Sequence, residues 1–346
     1  MNRKKRVLML IAITITIVIG ISVSQLKFNS GKIYLYGEEH SNWRILDKEF
    51  EIWSKYYHEK GMRHLFVELP YYDAEFLNLW MKEDNDKLLN QCFEEFKGTA
   101  GGTPVYRRFF KRIKKECPET VFHGTDVGHG YKTTGERYLA YLQELGKEGS
   151  KEYERTKEVM EQGKEFYEEE STLYREKKMV ENFKWEFDKL KNENIMGIYG
   201  AAHTVILEDN HTIMAFQLSS EYQGRVYVQD LTEADYLEDE LCYESLKING
   251  RSYRSLYLVE SWCNIEGIEC DTVKIWRVEE KSEEFANNPV GEMTLAGSEY
   301  PILVTCGEIY VFDFYMNDEF AERKLFRADK SAMEDGIIMT REILYK

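Results

Sequence analysis

Between residue 31 and about residue 218, short apolar runs alternate with long charged amphipathic stretches, and no other feature constrains the fold of this chain as strongly. Brief apolar runs bounded by turn residues read as buried strands, and stretches with apolar residues every three or four positions read as helices packed on them. Strand and helix in regular succession give an α/β fold, a mainly parallel sheet flanked by helices. Strands are expected at Ile33 to Tyr36, His64 to Val67, Thr120 to Phe122 and Ile195 to Tyr199. Helices are expected at about 43–60, 74–96, 104–116 and 134–193. In the last, the stripe that includes Tyr138, Leu142, Met160, Phe166, Phe183 and Phe187 reads as core packing and the Glu and Lys residues as a solvated face.

After about residue 219 the pattern changes. Arg225 to Leu231, Ser255 to Val259, Thr272 to Val278, Pro301 to Thr305 and Ile309 to Tyr315 read as strands, and Asn249-Gly250 is the signal of a two-residue type I′ hairpin. Residues 219–346 are therefore expected to form a smaller β-rich accessory unit beside an α/β domain at 31–218. Of the six cysteines, Cys263 and Cys270 bracket the Gly267 turn and are the best placed to pair; isolated core thiols are the other reading. No Cys-x-x-Cys metal spacing occurs.

Residues 1–24 stand apart. Arg3, Lys4, Lys5 and Arg6 precede an apolar run from Val7 to Val23, which reads as a membrane segment: an uncleaved signal anchor, or a signal peptide cut near Ser22-Val23-Ser24. The basic flank stays cytoplasmic, so the body is expected outside the cell membrane, or secreted if the segment is cleaved. The chain carries a formal charge of −16, and about −20 once those four basic residues are set aside. Such a surface excludes nucleic acid and anionic lipid headgroups as natural partners.

Four expected strands end in an ionisable residue or in a turn leading to one. Tyr36 runs into Gly37-Glu38-Glu39-His40, Val67 into Glu68, Phe122 into Gly124-Thr125-Asp126, and Tyr199 into Gly200-Ala201-Ala202-His203. Ligands of open parallel sheets bind beyond the carboxyl ends of the strands, so these positions are expected to converge. The strand-Gly-x-x-His unit is used twice, with glycine allowing a sharp turn, often through positive φ, or a close approach of backbone to the crevice. Two imidazoles and a carboxylate (His40, His203 and Glu68) can hold a divalent metal and activate a bound water. Alternatively one histidine, oriented by Glu68 or Glu38, acts as a general base without metal. These residue types leave both options open. His58, His64 and His211 read as structural; His123 and His129 flank Asp126 and are expected at most to support it.

The order of Leu35-Tyr-Gly-Glu-Glu-His-Ser-Asn42, the strand ending Glu68-Leu-Pro, Gly124-Thr-Asp126, Arg175-Glu-x-x-Met179-x-x-Asn182 and Gly200-Ala-Ala-His203 resembles the erythromycin esterase, ChaN, TraB and Tiki superfamily over residues 31 to 210. The Gly-Glu-x-His-x-Asn run looks most like the ChaN-type version, in which Asp more often stands at the position of Ser41. The resemblance implies that Glu38, His40, Glu68, Asp126, Arg175 and His203 form the site; in a hydrolase built on their convergence, Arg175 is expected to stabilise the developing oxyanion. It implies metal-dependent proteolysis in the Tiki branch, metal-independent hydrolysis with a histidine base in the erythromycin esterase branch, and haem binding in the ChaN branch. The resulting expectation is a membrane-anchored extracytoplasmic hydrolase of ester or peptide bonds in a small molecule or peptide. Its divalent metal (Zn, Mn or Co), where one is used, would be held by His40, Glu68 and His203. The alternative is a non-enzymatic haem- or ligand-binding protein.

Overall fold

The computed structural model describes residues 30–345 except 207–210, 233–241, 264, 266, 281, 297–299, 301–303, 317–318 and 335–336. The membrane segment expected at 1–24 lies outside the described residues, as does most of the strand expected at Pro301 to Thr305. Among the described residues no helix is long and apolar enough to cross a membrane.

Five strands, β1 (Ile33–Glu38), β2 (His64–Pro70), β3 (Val121–Asp126), β4 (Ile195–Gly200) and β5 (Val226–Asp230), form a sheet in the order β3-β2-β4-β1-β5. Every pairing in it is parallel. Side chains alternate between its faces, as the two-residue period of a strand requires. Tyr36, Leu65, Val67, Met196 and Ile198 pack on one side with Trp53, Tyr72 and Phe110, whereas Ile33, Leu35, Phe66, Ile195 and Tyr199 pack on the other with Met179, Phe183 and Leu218. Burial on both faces accounts for strands that read as continuous apolar runs.

The helices Trp43–Lys60 and Pro104–Glu116 match the expected spans. The other two expected segments are subdivided. The 74–96 segment becomes Tyr71–Trp80 and Lys87–Glu95, parted by a turn rich in acidic and Asn residues. The segment expected at 134–193 becomes Glu136–Glu144, Lys151–Glu169 and Thr172–Phe187. Gly146 and Gly149 take φ of 67° and 77° at the first break, Glu170 takes φ of 50° at the second, and the Ser150 and Ser171 side chains cap the next helix in each case. A Ser accepting from a first-turn N–H restarts a helix as effectively as left-handed backbone stops one.

One strand lies in a different unit from the one its sequence position suggests. Val226–Asp230 pairs in parallel with β1 as the edge of the first sheet, so the α/β layer continues past residue 218. The antiparallel unit begins at β6 (Cys242–Ile248) and continues through β7 (Arg251–Trp262), β8 (Thr272–Val278), β9 (Val290–Ala296), β10 (Ile309–Met316), β11 (Glu319–Glu334) and β12 (Ile337–Ile343). Their order is β6-β7-β8-β10-β11-β12-β9. The expected hairpin joins β6 to β7, with Asn249 and Gly250 at φ of 48° and 79° between the paired Ile248 and Arg251. Along β10, Tyr310, Phe312 and Phe314 pack on one face and Ile309 and Val311 on the other. Cys263 and Cys270 form a disulfide, with Cα atoms 5.7 Å apart. The two units touch where Trp43 stacks on Tyr257, Arg44 donates to the Tyr257 carbonyl at 2.5 Å, and Arg108 meets Glu260 at 2.8 Å.

Candidate active site

The carboxyl ends of β1 to β4 carry five of the six residues singled out from sequence, the helix Thr172–Phe187 carries Arg175, and the fold brings all six together. Glu68, at the end of β2, is the hub. Its Oε1 accepts from Arg175 Nη2 at 2.6 Å and lies 3.3 Å from His203 Nε2 and 3.7 Å from His40 Nε2, while its Oε2 accepts from the Gly200 N–H at 2.6 Å. Arg175, on the helix Thr172–Phe187, also grips Asp126 through Nε at 3.0 Å and Nη2 at 2.7 Å. Burial works to raise the Glu68 pKa, but the His203 hydrogen bond and the charges of His203, His40 and Arg175 hold it down at about 2. Asp126 is likewise held below the usual carboxylate range: burial opposes ionisation, and the His129 and Arg175 charges overcome it.

The two Gly-x-x-His turns differ in what they deliver. His40 leaves β1 through a turn in which Ser41, not a glycine, takes positive φ, at 63°. The Ser41 hydroxyl donates to the Ala100 carbonyl at 2.7 Å and meets Thr103 Oγ1 at 2.9 Å, tying the turn to the loop before the helix Pro104–Glu116. His40 Nδ1 donates to Glu38 Oε1 at 2.7 Å, and Tyr106 Oη donates to the same oxygen. Burial lowers the His40 pKa, but the Glu38 hydrogen bond and the Glu38 and Glu68 charges outweigh it and bring it to about 9. The imidazole is 39% exposed. His203 is 9% exposed. Its Nδ1 donates to Glu176 Oε1 at 2.5 Å, and Glu176 Oε2 in turn accepts from the Met214 N–H at 2.7 Å. Burial opposes protonation here too, but Glu176 and Glu68 raise the His203 pKa to about 10.

The glycines serve close approach, and neither takes positive φ. A Cβ on Gly200 would sit 3.0 Å from His40 Nε2 and 3.4 Å from Glu68 Oε2; one on Gly37 would land on Thr204 Oγ1. Each turn therefore leaves room for the other.

A cavity of about 360 Å³ opens over this network. His40, Glu68, Arg175 and Asp126 line it, Val67, Leu69, Phe96, Phe109, Phe110 and Ile198 supply apolar walls, and Asp73, His129, Thr134 and Tyr167 add further polar groups. His203 does not line it; it stands behind Glu68 and Arg175.

Sequence reasoning missed several of these groups. Glu176 adjoins Arg175 in the sequence and was legible as part of the same helix turn. Tyr106 carried no local signal. His129 does more than flank Asp126, donating to its Oδ2 at 3.0 Å and facing the Tyr167 hydroxyl at 2.7 Å through Nδ1. His123, by contrast, bonds His64 and Glu186 and is remote from this network. Glu49 is fully buried, and neither carboxyl oxygen has a hydrogen-bond partner among the described residues. Burial and the nearby Glu38 push its pKa well above the usual range.

This geometry adds no support to the metal reading. Both imidazoles are oriented by a carboxylate on Nδ1, an arrangement shared by metal ligands and bases. The Arg175 guanidinium, however, sits 3.3 Å from His203 Nε2 and 2.6 Å from Glu68 Oε1, so a fixed cation occupies the ground a metal would need. Among the described residues no group of three or more His, Cys, Asp or Glu side chains is arranged to hold a metal ion. The set His40, Glu68 and His203 expected as ligands is instead a hydrogen-bonded ion cluster built around Arg175.

No family model matches the sequence, and no curated protein matches it. Solved structures that are similar in part include a Bacillus cereus protein, at 15% identity and a TM-score of 0.41 over 58% of this chain. The match spans 65% of that protein, just under two thirds of its length. A succinoglycan biosynthesis protein is 12% identical, with a TM-score of 0.42 over 60% of this chain and 67% of its own. ChaN of Campylobacter jejuni, from a structure describing cofacial haem binding, is 12% identical, with a TM-score of 0.30 over 61% of this chain and 84% of its own.

Proposed function

We propose that this chain is a metal-independent hydrolase of small esters, held outside the cell membrane by its N-terminal segment, with His40 as the general base. One observation carries the reading: His40 lines the cavity while a buried carboxylate, Glu38, holds its Nδ1 at 2.7 Å. That arrangement sets the tautomer and leaves Nε2 to accept a proton from water, and Glu38 stabilises the imidazolium that results. Arg175 presents its charge to the same cavity, held there by Nε and Nη2 on Asp126 and Glu68 and by Nη1 against His203 Nε2 at 3.3 Å, so a fixed guanidinium charge faces a carbonyl oxygen gaining negative charge. The proton taken by His40 returns to the leaving alkoxide, and ester and water give acid and alcohol. The apolar walls suit the hydrocarbon part of a small substrate, and the volume lies at the lower end of the ~300–1,000 Å³ found for ligand pockets.

The test is release of p-nitrophenol from p-nitrophenyl esters by the full chain in detergent, with wild type and His40→Ala compared in the presence and absence of EDTA. Hydrolysis by the wild type that is indifferent to EDTA and falls about 10²- to 10⁴-fold in the variant is expected. Equal rates in both proteins, or loss on chelation, would overturn the reading.

A second reading, haem binding, has one observation in its favour: His129 and the half-exposed Tyr167, paired at 2.7 Å, line the cavity, and both side-chain types ligate haem iron. A Soret band on adding haem, lost in His129→Ala or Tyr167→Phe, would replace the hydrolase reading with this one.

A further inference from the structure

The hydrolase reading uses the part of the cavity around His40, Glu68 and Arg175. The polar lining continues beyond it. From Arg175 the contacts pass to Asp126 and from Asp126 to His129, and the next ionisable group along the lining is Asp73, whose pKa responds to the His129 charge. Asp73 lies in the first turn of the helix Tyr71–Trp80, whose N-cap is Pro70. Asp73 is 3% exposed. Its Oδ1 has no hydrogen-bond partner among the described residues.

A buried carboxyl oxygen without a partner is costly unless something supplies a donor. Of the other carboxylates lining the cavity, Glu68 and Asp126 are met by Arg175 and Glu95 by Arg137 at 2.5 Å, while Glu38 takes His40 and Tyr106 on Oε1 and its Oε2 has no hydrogen-bond partner among the described residues. Asp73 receives one hydroxyl, from Thr134, and burial otherwise drives its pKa up to about 8. The lining that Asp73 shares with His40 also includes Leu69, Phe96, Phe109 and Phe110, whose side chains offer no donor.

We propose that Asp73 is the specificity residue of this cavity, accepting a hydrogen bond from a hydroxyl or amine that the substrate carries at the end remote from its scissile ester. The inference rests on the hydrolase reading for which end of the ligand faces His40. The substrate class becomes a short ester with an apolar middle and a hydrogen-bond donor at its far terminus. Asp73 touches the ligand without taking part in bond breaking, so it acts on the choice among esters rather than on the reaction itself.

The experiment compares kcat/KM of the full chain for p-nitrophenyl hexanoate, its 6-hydroxy derivative and its 6-amino derivative. Wild type, Asp73→Asn and Asp73→Leu are used, with circular dichroism as the check on folding; the near-isosteric Asn variant keeps the test alive if the Leu variant does not fold. Wild type is expected to prefer at least one of the substituted esters over hexanoate by about tenfold or more, as sites built to pair a polar group do. Loss of the amino preference alone in Asp73→Asn identifies an ammonium as the group read, since the amide oxygen still accepts from a hydroxyl; loss of the hydroxyl preference in Asp73→Leu identifies a hydroxyl. Indifference of the wild type among the three esters, or a preference that survives Asp73→Leu, overturns the inference while leaving the hydrolase reading intact. If the wild type hydrolyses none of the three, the hydrolase reading fails, and Asp73 is then judged by the melting temperature with added 6-aminohexanoate or 6-hydroxyhexanoate. A rise in wild type that is absent in Asp73→Asn or Asp73→Leu supports the inference, and no rise, or the same rise in all three proteins, overturns it.

Discussion

The turn that ends in His40 and the turn that ends in His203 share a sequence pattern and a place at the ends of adjacent parallel strands, yet they are opposite in character. His40 has one carboxylate on Nδ1, its Nε2 lies 3.7 Å from Glu68 Oε1, and it lines the cavity. His203 is enclosed, with a carboxylate at 2.5 Å on one nitrogen and another at 3.3 Å on the other. The difference arises from the path of the chain at each turn. His40 sits where the chain departs for a new helix and faces the crevice. His203 lies in a single helical turn, Ala201–Thr204, pressed against β1, and points back toward Glu176. A motif repeated in sequence has thus given one imidazole that faces the cavity and one that braces the carboxylate between them.

Four predictions break or sharpen that contrast. The largest effect is on activity: His40→Ala should lower ester hydrolysis by about 10³-fold, within the range for loss of a general base, while denaturant unfolding stays within about 1 kcal/mol of wild type. Next, His203→Ala should lose about 3–5 kcal/mol of stability in the same unfolding experiment, because it strands Glu176 and Glu68 in the interior. A stability loss as large in His40→Ala as in His203→Ala would erase the distinction. Third, Gly37→Ala should cost about 1–3 kcal/mol, the range for overpacking, and Thr204→Ala should restore part of it by removing the hydroxyl that the new methyl meets. Gly200→Ala should act chiefly on the rate, since its methyl faces the far tip of His40.

The smallest effect is in pH dependence. His203 titrates at about 10 and His40 at about 9 in the folded chain, against an ordinary 6.5. Their stabilisation is therefore fully present below pH 6.5 and is lost as pH rises through 9 to 10. Glu68, held at about 2 against 4.5, contributes above pH 4.5 and is lost as pH falls toward 2. Stability measured between pH 6.5 and 10 should fall, and His203→Ala should flatten that limb more than His40→Ala. Hydrolysis should rise over the same interval as His40 gives up its proton, so a rate that declines from pH 7 to 9 would count against His40 as the base.

Much of this was legible in the sequence, because it depends on short-range pattern. Apolar runs ending in Glu68, or in Gly and then His, place a strand end and its ionisable group within a few residues of each other. The helix breaks at 145–150 and 170–171 were not legible from periodicity, since apolar residues continue through them; the capping serines and the left-handed Glu170 carry that information, and periodicity ignores both. Strand β5 was assigned to the wrong sheet because its side chains say only that it is a strand and nothing about which edge will take it. Tyr106, Glu49 and Asp73 sit on helix faces, where the sequence reads as ordinary amphipathic helix; only the packing of those helices onto the sheet shows that they surround the site. Arg175 was found, but its central position, gripping both Asp126 and Glu68, depends on distances that no spacing rule supplies.

The seam between the two sheets adds one consequence. Trp43 and Arg44, which grip Tyr257 of β7, are only three and four residues from His40, and the intervening Asn42 caps the helix Trp43–Lys60 with its side chain. The base is thus mounted on a short lever whose far end is clamped by the antiparallel unit. Tension or displacement at β7 would be delivered to the imidazole across a handful of bonds, whereas His203, rooted in the interior of the parallel layer, would hold still.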